Sequence, residues 1–158
     1  MKDPPPLEKY LADARARCFL CDLASGTPEH PHHMLYEDAR TIAFLNRFPT
    51  VEGYTLVAPR EHREQVTRDF SPNEFVELQR VVHRVGDAVR SAMGAERIYL
   101  LSLGSQQANR HVHWHVVPCL PGLPYERQQL ALVDWSSGLV DLSEEDMART
   151  AARIRARL

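Results

Sequence analysis

Cysteine is scarce: the 158 residues hold three, Cys18, Cys21 and Cys119. An odd, sparse set is no disulfide framework, which excludes the small secreted scaffolds that depend on one. Excess charge of either sign is missing as well. At a formal net charge of −2, nothing marks the chain as a general binder of nucleic-acid polymers or of membrane surfaces. Any phosphate recognition therefore has to be local. No apolar run approaches the length that spans a bilayer, and the opening MKDPPPLEKY lacks a signal-peptide apolar region. The expectation is a cytoplasmic protein with no membrane partner. Internal repeats and low-complexity tracts are absent too. What remains is ordinary globular composition, 44% hydrophobic and 25% charged, over a length that suits one domain with a proper core.

The most informative stretch is NRHVHWHVVP, residues 109–118. His111, His113 and His115 recur at every second position among Val112, Trp114, Val116 and Val117, residues that favour strands. Strict alternation predicts a strand with all three imidazoles on one face and Val112, Trp114 and Val116 turned toward a core. Pro118, with no N–H to give, is expected to end it. On such a strand neighbouring histidines stand about 6.6 Å apart and the outer pair about 13 Å. Two adjacent rings can converge on one zinc, but three from a straight strand hardly can. A flat row suits an extended anionic ligand better. Imidazole can act there as nucleophile, as general acid or base, or as a phosphate-binding cation.

Elsewhere the patterning predicts an α+β domain. After a loose arm bearing Pro4, Pro5 and Pro6, a short helix is expected over 7–17. Cys18-Phe19-Leu20-Cys21 follows, a lone CxxC pair. By itself it fits a redox pair, half a zinc site, or two small buried residues. Residues 26–33 read as a Pro- and His-rich loop, in which His30, His32 and His33 are more readily solvated than metal-bound. Strands are expected over 34–37, 41–46, 54–59 and 97–103. The clearest helix starts at Ser71, with Pro72 at its first position and Glu74 completing a capping box. Phe75, Leu78, Val82, Val85 and Val89 form its apolar stripe, and Gly94 stops it. His83 on that helix reads as an ordinary surface residue. Residues 130–135 read as another extended segment, and a final helix is expected from Ser143 to about Arg157, with an acidic first turn.

The HVHWHVVP segment resembles the signature of the histidine triad (HIT) superfamily. FLNRFPTVEGYTLVAPREH, residues 44–62, resembles the family's upstream strand–turn–strand, and Asn46-Arg47 with Pro49 is closest to its Fhit-like, dinucleoside polyphosphate hydrolase branch. The resemblance implies five antiparallel strands with one long helix on the sheet, plus N- and C-terminal helices. It divides the chain into an arm and helix (1–17), a HIT domain (18–125) and a C-terminal extension (126–158). It further implies a nucleotidyl hydrolase or transferase in which His113 attacks an α-phosphate, His115 stabilises the developing charge, and Gln107 holds the bridging or leaving oxygen, with Asn109 a weaker contributor. Dinucleoside polyphosphates such as Ap4A are the favoured substrates, ahead of aminoacyl or lysyl phosphoramidates of AMP. A nucleotide-binding interaction module without turnover is the reading from another class. Asn46 would bind the ribose or phosphate side, and Phe44 and Ile42 would wall the base. The polar loop GSQQANR is shorter than its Fhit-like counterpart, so no donor upstream of Gln107 is assigned. Several relatives hold a structural zinc on two cysteines and two histidines, here Cys18, Cys21, His62 and His111. No organic cofactor is implied. HIT proteins of this type pair as two-fold dimers, and Val76, Val81 and Trp114 read as apolar surface that a homodimer would cover.

Overall fold

The computed structural model describes residues 1–158, the side chain of Ser137 excepted. Five strands form where β-branched and apolar residues cluster: β1 (Met34–Glu37), β2 (Thr41–Leu45), β3 (Thr55–Pro59), β4 (Arg97–Ser102) and β5 (Trp114–Cys119). They make one sheet in the order β1-β2-β3-β5-β4, and every neighbouring pair runs antiparallel. The expected α+β class is the one found. β5, last in sequence, lies between β3 and β4, so His115 stands opposite Leu56 on one side and Leu101 on the other.

Both faces of the sheet are covered, which is why β2 and β3 are buried along their whole length. On one face Ala43, Leu45, Val57, Trp114 and Val116 pack under two helices. These are α3 (Pro72–Met93) and α5 (Glu144–Arg155). The expected stripe of α3 supplies Leu78, Val82, Val85 and Val89 to that core. Its ends form as the sequence predicts. The Ser71 hydroxyl accepts from Glu74 N–H, the Glu74 carboxylate accepts from Ser71 N–H, and Gly94 closes the helix at φ +64°, a left-handed conformation that glycine adopts without penalty. α5 repeats the capping box with Ser143 and Asp146.

On the opposite face Ile42, Phe44, Leu56, Ala58, Val117 and Cys119 meet Leu20 and Leu132. Leu20 belongs to α2 (Phe19–Ala24), the helix that follows α1 (Leu7–Ala16), and Leu132 to α4 (Leu130–Val133). His115 shares the side of β5 that carries Val117 and Cys119. This second face therefore carries the site.

Several expectations are corrected. β5 begins at Trp114, so His111 and His113 lie on the segment leading into it. Pro118 does not end the strand; it pairs with Ile98 of β4. Cys119 C=O bonds toward β4, accepting from Glu96 N–H, so the nitrogen of Pro118 points toward β3, whose pairing has already stopped at Val116. A missing donor costs nothing on that side. Leu130–Val133 is helical, not extended: Leu-Ala-Leu is a run of good helix formers, and Asp134, itself extended, then caps a single 3-10 turn, Trp135–Ser137. The CxxC pair, left without secondary structure above, straddles the start of α2. Trp114 is no exposed liability, being 6% exposed with its ring 6.0 Å from that of Phe75. Val81 packs against the same core.

Candidate active site

A cavity of about 640 Å³ opens on the second face, a size suited to small-molecule ligands. Its floor is the sheet: Phe44, Leu56, Tyr54, His113 and His115. Asn46, Arg47 and Phe48 come from the turn after β2, and Asn109 from the loop before the triad. The outer wall is contributed by α1, through Lys9, Tyr10 and Asp13, with Val133 from the end of α4 and Trp135 from the turn after it. Tyr10 meets Trp135 edge to face at 4.8 Å, and Arg15 Nε donates to Gln107 C=O at 2.8 Å. The N-terminal helix and the C-terminal extension thus close over the triad from both sides.

The three histidines divide their work. His113, 5% exposed, donates from Nδ1–H to the carbonyl of His111 at 2.8 Å. A carbonyl only accepts, so the proton is on Nδ1 and Nε2 keeps its lone pair. Burial holds its pKa below the ordinary imidazole value, which keeps the ring neutral and nucleophilic at pH 7. His115 lies 4.7 Å from it, ring centre to ring centre. Burial, reinforced by His113, pushes His115 down to about 4.

His111 turns away from that pair. It is fully buried, donates from Nε2–H to Pro59 C=O at 2.9 Å, and presents a bare Nδ1 to Cys18 Sγ at 3.4 Å and Cys21 Sγ at 3.6 Å. His62 does the same: Nε2–H donates to the Glu64 carboxylate at 3.1 Å and Nδ1 faces Cys21 Sγ at 3.2 Å. The four ligand atoms lie within 4.8 Å of one another. Zinc bonds of about 2.3 Å to sulfur and 2.0–2.1 Å to nitrogen at tetrahedral angles put sulfur and nitrogen about 3.6 Å apart. The observed spacings fit that set. Carbonyl and carboxylate partners on the outer nitrogens are those that fix metal-binding histidines. Burial and the neighbouring Cys18 push the Cys21 thiol up to about 12, so a pair of thiolates here calls for a cation between them.

The other expected residues are only partly gathered. Phe44, Asn46 and Asn109 line the cavity. Asn46 is fixed by its Oδ1, which accepts from Phe48 N–H at 3.0 Å. Ile42 is fully buried in the core beside Phe44 and is not among the lining residues. Gln107 lies on the exposed loop, engaged through its backbone with Arg15 and with Ser105 Oγ, and its side chain does not line the cavity. Three contributors escaped sequence reasoning. Tyr54 bonds His115. His32 stacks on Phe19 at 6.1 Å and meets Phe44 edge-on at 5.3 Å, completing an aromatic wall. α1 carries no buried residue, so its pattern gave no hint of what it covers.

The HIT domain model matches residues 27–121. The chain is 33% identical over 104 residues to an uncharacterized HIT-like protein of Saccharolobus solfataricus, covering 64% of this chain and 73% of the relative. It is 30% identical over 104 residues to the adenosine 5'-monophosphoramidase of Schizosaccharomyces pombe, again covering 64% and 73%. Among solved structures, a Zn-bound histidine triad family protein of Mycobacterium smegmatis superposes with a TM-score of 0.68 at 25% identity, covering 90% of this chain and 93% of that one. The chain belongs to the HIT domain family.

The depressed pKa of His115 has a consequence for stability. The unfolded chain binds a proton near pH 6.5 and the folded one only near pH 4. Stability from keeping this ring neutral is therefore complete above about pH 6.5 and declines as pH falls toward 4. One such group costs at most about 2 kcal/mol at pH 5, and His32 and His113 shift in the same direction. The melting temperature should fall between pH 7 and pH 5, and His115→Asn should reduce that fall by a few degrees. Identical slopes in the two proteins would mean that His115 is not held neutral by the fold.

Proposed function

We propose that this chain is a nucleotidyl hydrolase or transferase that cleaves at the α-phosphate of a nucleotide derivative through a nucleotidyl-His113 intermediate. The observation that carries the reading is the bond from His113 Nδ1–H to the His111 carbonyl, which leaves Nε2 bare in a cavity shared with His115. In the first step the Nε2 lone pair forms a P–N bond while the bond from phosphorus to the leaving group breaks, its electron pair departing with that group. In the second, water or another acceptor such as phosphate forms a P–O bond and the P–N bond breaks, returning the lone pair to Nε2. A proton from attacking water passes to solvent. Splitting the displacement lets each half proceed in line. His115 donates to a phosphoryl oxygen as charge develops.

Dinucleoside polyphosphates are the favoured substrates. Asn46 and Arg47 both line the cavity, with the Arg47 guanidinium over the Phe48 ring at 5.4 Å; a cation in that wall suits a substrate that carries phosphates beyond the first. The second reading, an AMP phosphoramidate hydrolase, draws support from the activity named for the S. pombe relative. His113→Asn should abolish turnover of both substrate types while leaving nucleotide binding and folding intact. His115→Asn should slow the reaction by about 10²–10³. Steady-state rates with Ap4A and with an AMP phosphoramidate rank the substrates. Near-normal activity of His113→Asn would remove it from the nucleophile's role, and a wild-type protein that binds both but turns over neither would be the interaction module.

We further infer a structural zinc on Cys18, Cys21, His62 and His111. With four protein ligands the set is closed, so the ion would supply cross-linking and no open position for chemistry. Elemental analysis of protein purified without added metal should find one zinc per chain, and Cys18→Ser should lower both metal content and melting temperature. A stable, active, metal-free preparation would return both cysteines to the role of small buried residues.

The expected homodimer keeps a physical motive in Val76 and gains one at the edge of the sheet. β4 is an edge strand, and Leu100 and Leu103 are 49% and 43% exposed there, with Val76 on α3 at 48%. Pairing across that edge would bury apolar side chains and unpaired strand groups together. Light scattering at micromolar concentration should give twice the 18.1 kDa chain mass; a stable, active monomer would refute the pairing.

A further inference from the structure

Tyr54 sits immediately before β3, where Gly53 turns the chain at φ +83°. It is 3% exposed and held at both backbone groups. Its N–H donates to Val51 C=O at 3.3 Å and its C=O accepts from Asn46 N–H at 2.8 Å. The side chain runs across the cavity floor, and its hydroxyl meets His115 Nδ1 at 2.7 Å, with the two rings edge-on and 5.8 Å apart.

Which partner donates is decided at the far side of the imidazole. His115 Nε2 faces the carbonyl of Leu103 at 3.4 Å. A carbonyl oxygen only accepts, so the neutral ring carries its proton on Nε2. Nδ1 is then a bare acceptor, and the tyrosine O–H must donate to it. Burial raises the phenol pKa, so Tyr54 stays a donor across the working range. The contact to Leu103 is long, and an N–H in that position exchanges it readily for a charged phosphoryl oxygen, which makes the shorter and stronger bond.

We propose that Tyr54 is a positioning residue that locks His115 in its Nε2–H tautomer and aims that N–H at the phosphoryl oxygens of the substrate. The aim rests on the nucleotidyl-transfer reading of the site; the tautomer does not. The same residue also sets the backbone of Asn46 through its carbonyl, so one side of the turn orients both the charge-stabilising donor and the candidate ribose ligand. Removing the hydroxyl leaves a buried Nδ1 without a partner and frees the ring to rotate or to exchange tautomers.

The test is Tyr54→Phe, which keeps the ring and the packing. In ¹⁵N-histidine-labelled wild-type protein, long-range ¹H–¹⁵N spectra should show His115 with Nε2 protonated and Nδ1 not. In Tyr54→Phe the two nitrogens should move toward averaged shifts, with the melting temperature lowered by several degrees and the protein still folded. With nucleotide substrate, kcat should fall about tenfold, less than for loss of the donor itself, while KM stays within a factor of two or so. In a His115→Asn background the same substitution should cause no further loss. Unchanged His115 shifts in Tyr54→Phe, or an equal loss of kcat in both backgrounds, would overturn the proposal and make Tyr54 a packing residue. If the wild-type protein turns over no nucleotide, the reading of the site fails at that point, and the spectra still decide whether Tyr54 sets the tautomer.

Discussion

The geometry of the site depends on where residue 111 is held. Its backbone carbonyl takes the Nδ1 proton of His113, and its side chain points the other way, between two sulfurs and Pro59. Moving His111 would therefore alter the tautomer and direction of His113, the proposed nucleophile, without touching it. The surroundings hold that position from several directions. Val112 N–H donates to Arg63 C=O at 2.7 Å, and Arg63 reaches Glu74 in the capping box of α3 with contacts of 2.6 and 3.1 Å. The Arg63 guanidinium holds the Glu74 carboxyl down at about 2, so that link stays charged throughout the physiological range. The first turn of the longest helix, the loop after β3 and the triad segment are thus one connected frame. A closed Cys2His2 set, as proposed, would act on His113 through that carbonyl and not through its own chemistry.

The cavity is a composite. The matched family region, residues 27–121, supplies the floor and the histidines, whereas Lys9, Tyr10, Phe19, Val133 and Trp135 lie outside it and line the remaining wall. The imidazoles and the wall that encloses them therefore come from different parts of the chain: a sheet face that carries His113 and His115, and flanking segments that shape the cavity around them. The Tyr10–Trp135 contact joins the two flanks across the opening. It also places the C-terminal extension against the chain's own site.

Much of this was legible in the sequence where the signal is local. Ser71, Pro72, Glu74 and Gly94 each act on the backbone within a turn of themselves, so both ends of α3 could be read directly. The alternation of Val112, Trp114 and Val116 against His113 and His115 likewise reports a strand with two unlike faces. The four candidate metal ligands, which the family resemblance implied, do come together. What stayed hidden depends on distant partners. His111 leaves the histidine row because its ring bonds Pro59 C=O and faces the sulfurs of Cys18 and Cys21, partners far away in sequence. Pro118 is tolerated because β3 has already ended beside it. Tyr54 finds His115 through the pairing of Leu56 with His115 in the β3–β5 ladder, a register that no local pattern encodes. Gln107, whose role the family resemblance implied, sits on a short exposed loop with its own hydrogen bonds, and its side chain does not line the cavity.

The central claim is that His113 carries the nucleotide between the two steps. Rapid acid-free quenching of the protein with nucleotide labelled at the α-phosphate, followed by peptide mapping under alkaline conditions, tests it directly. The account predicts a phosphoramidate adduct on His113, formed and consumed at rates compatible with turnover. Label on His115, on another residue, or on no residue while product accumulates would contradict it.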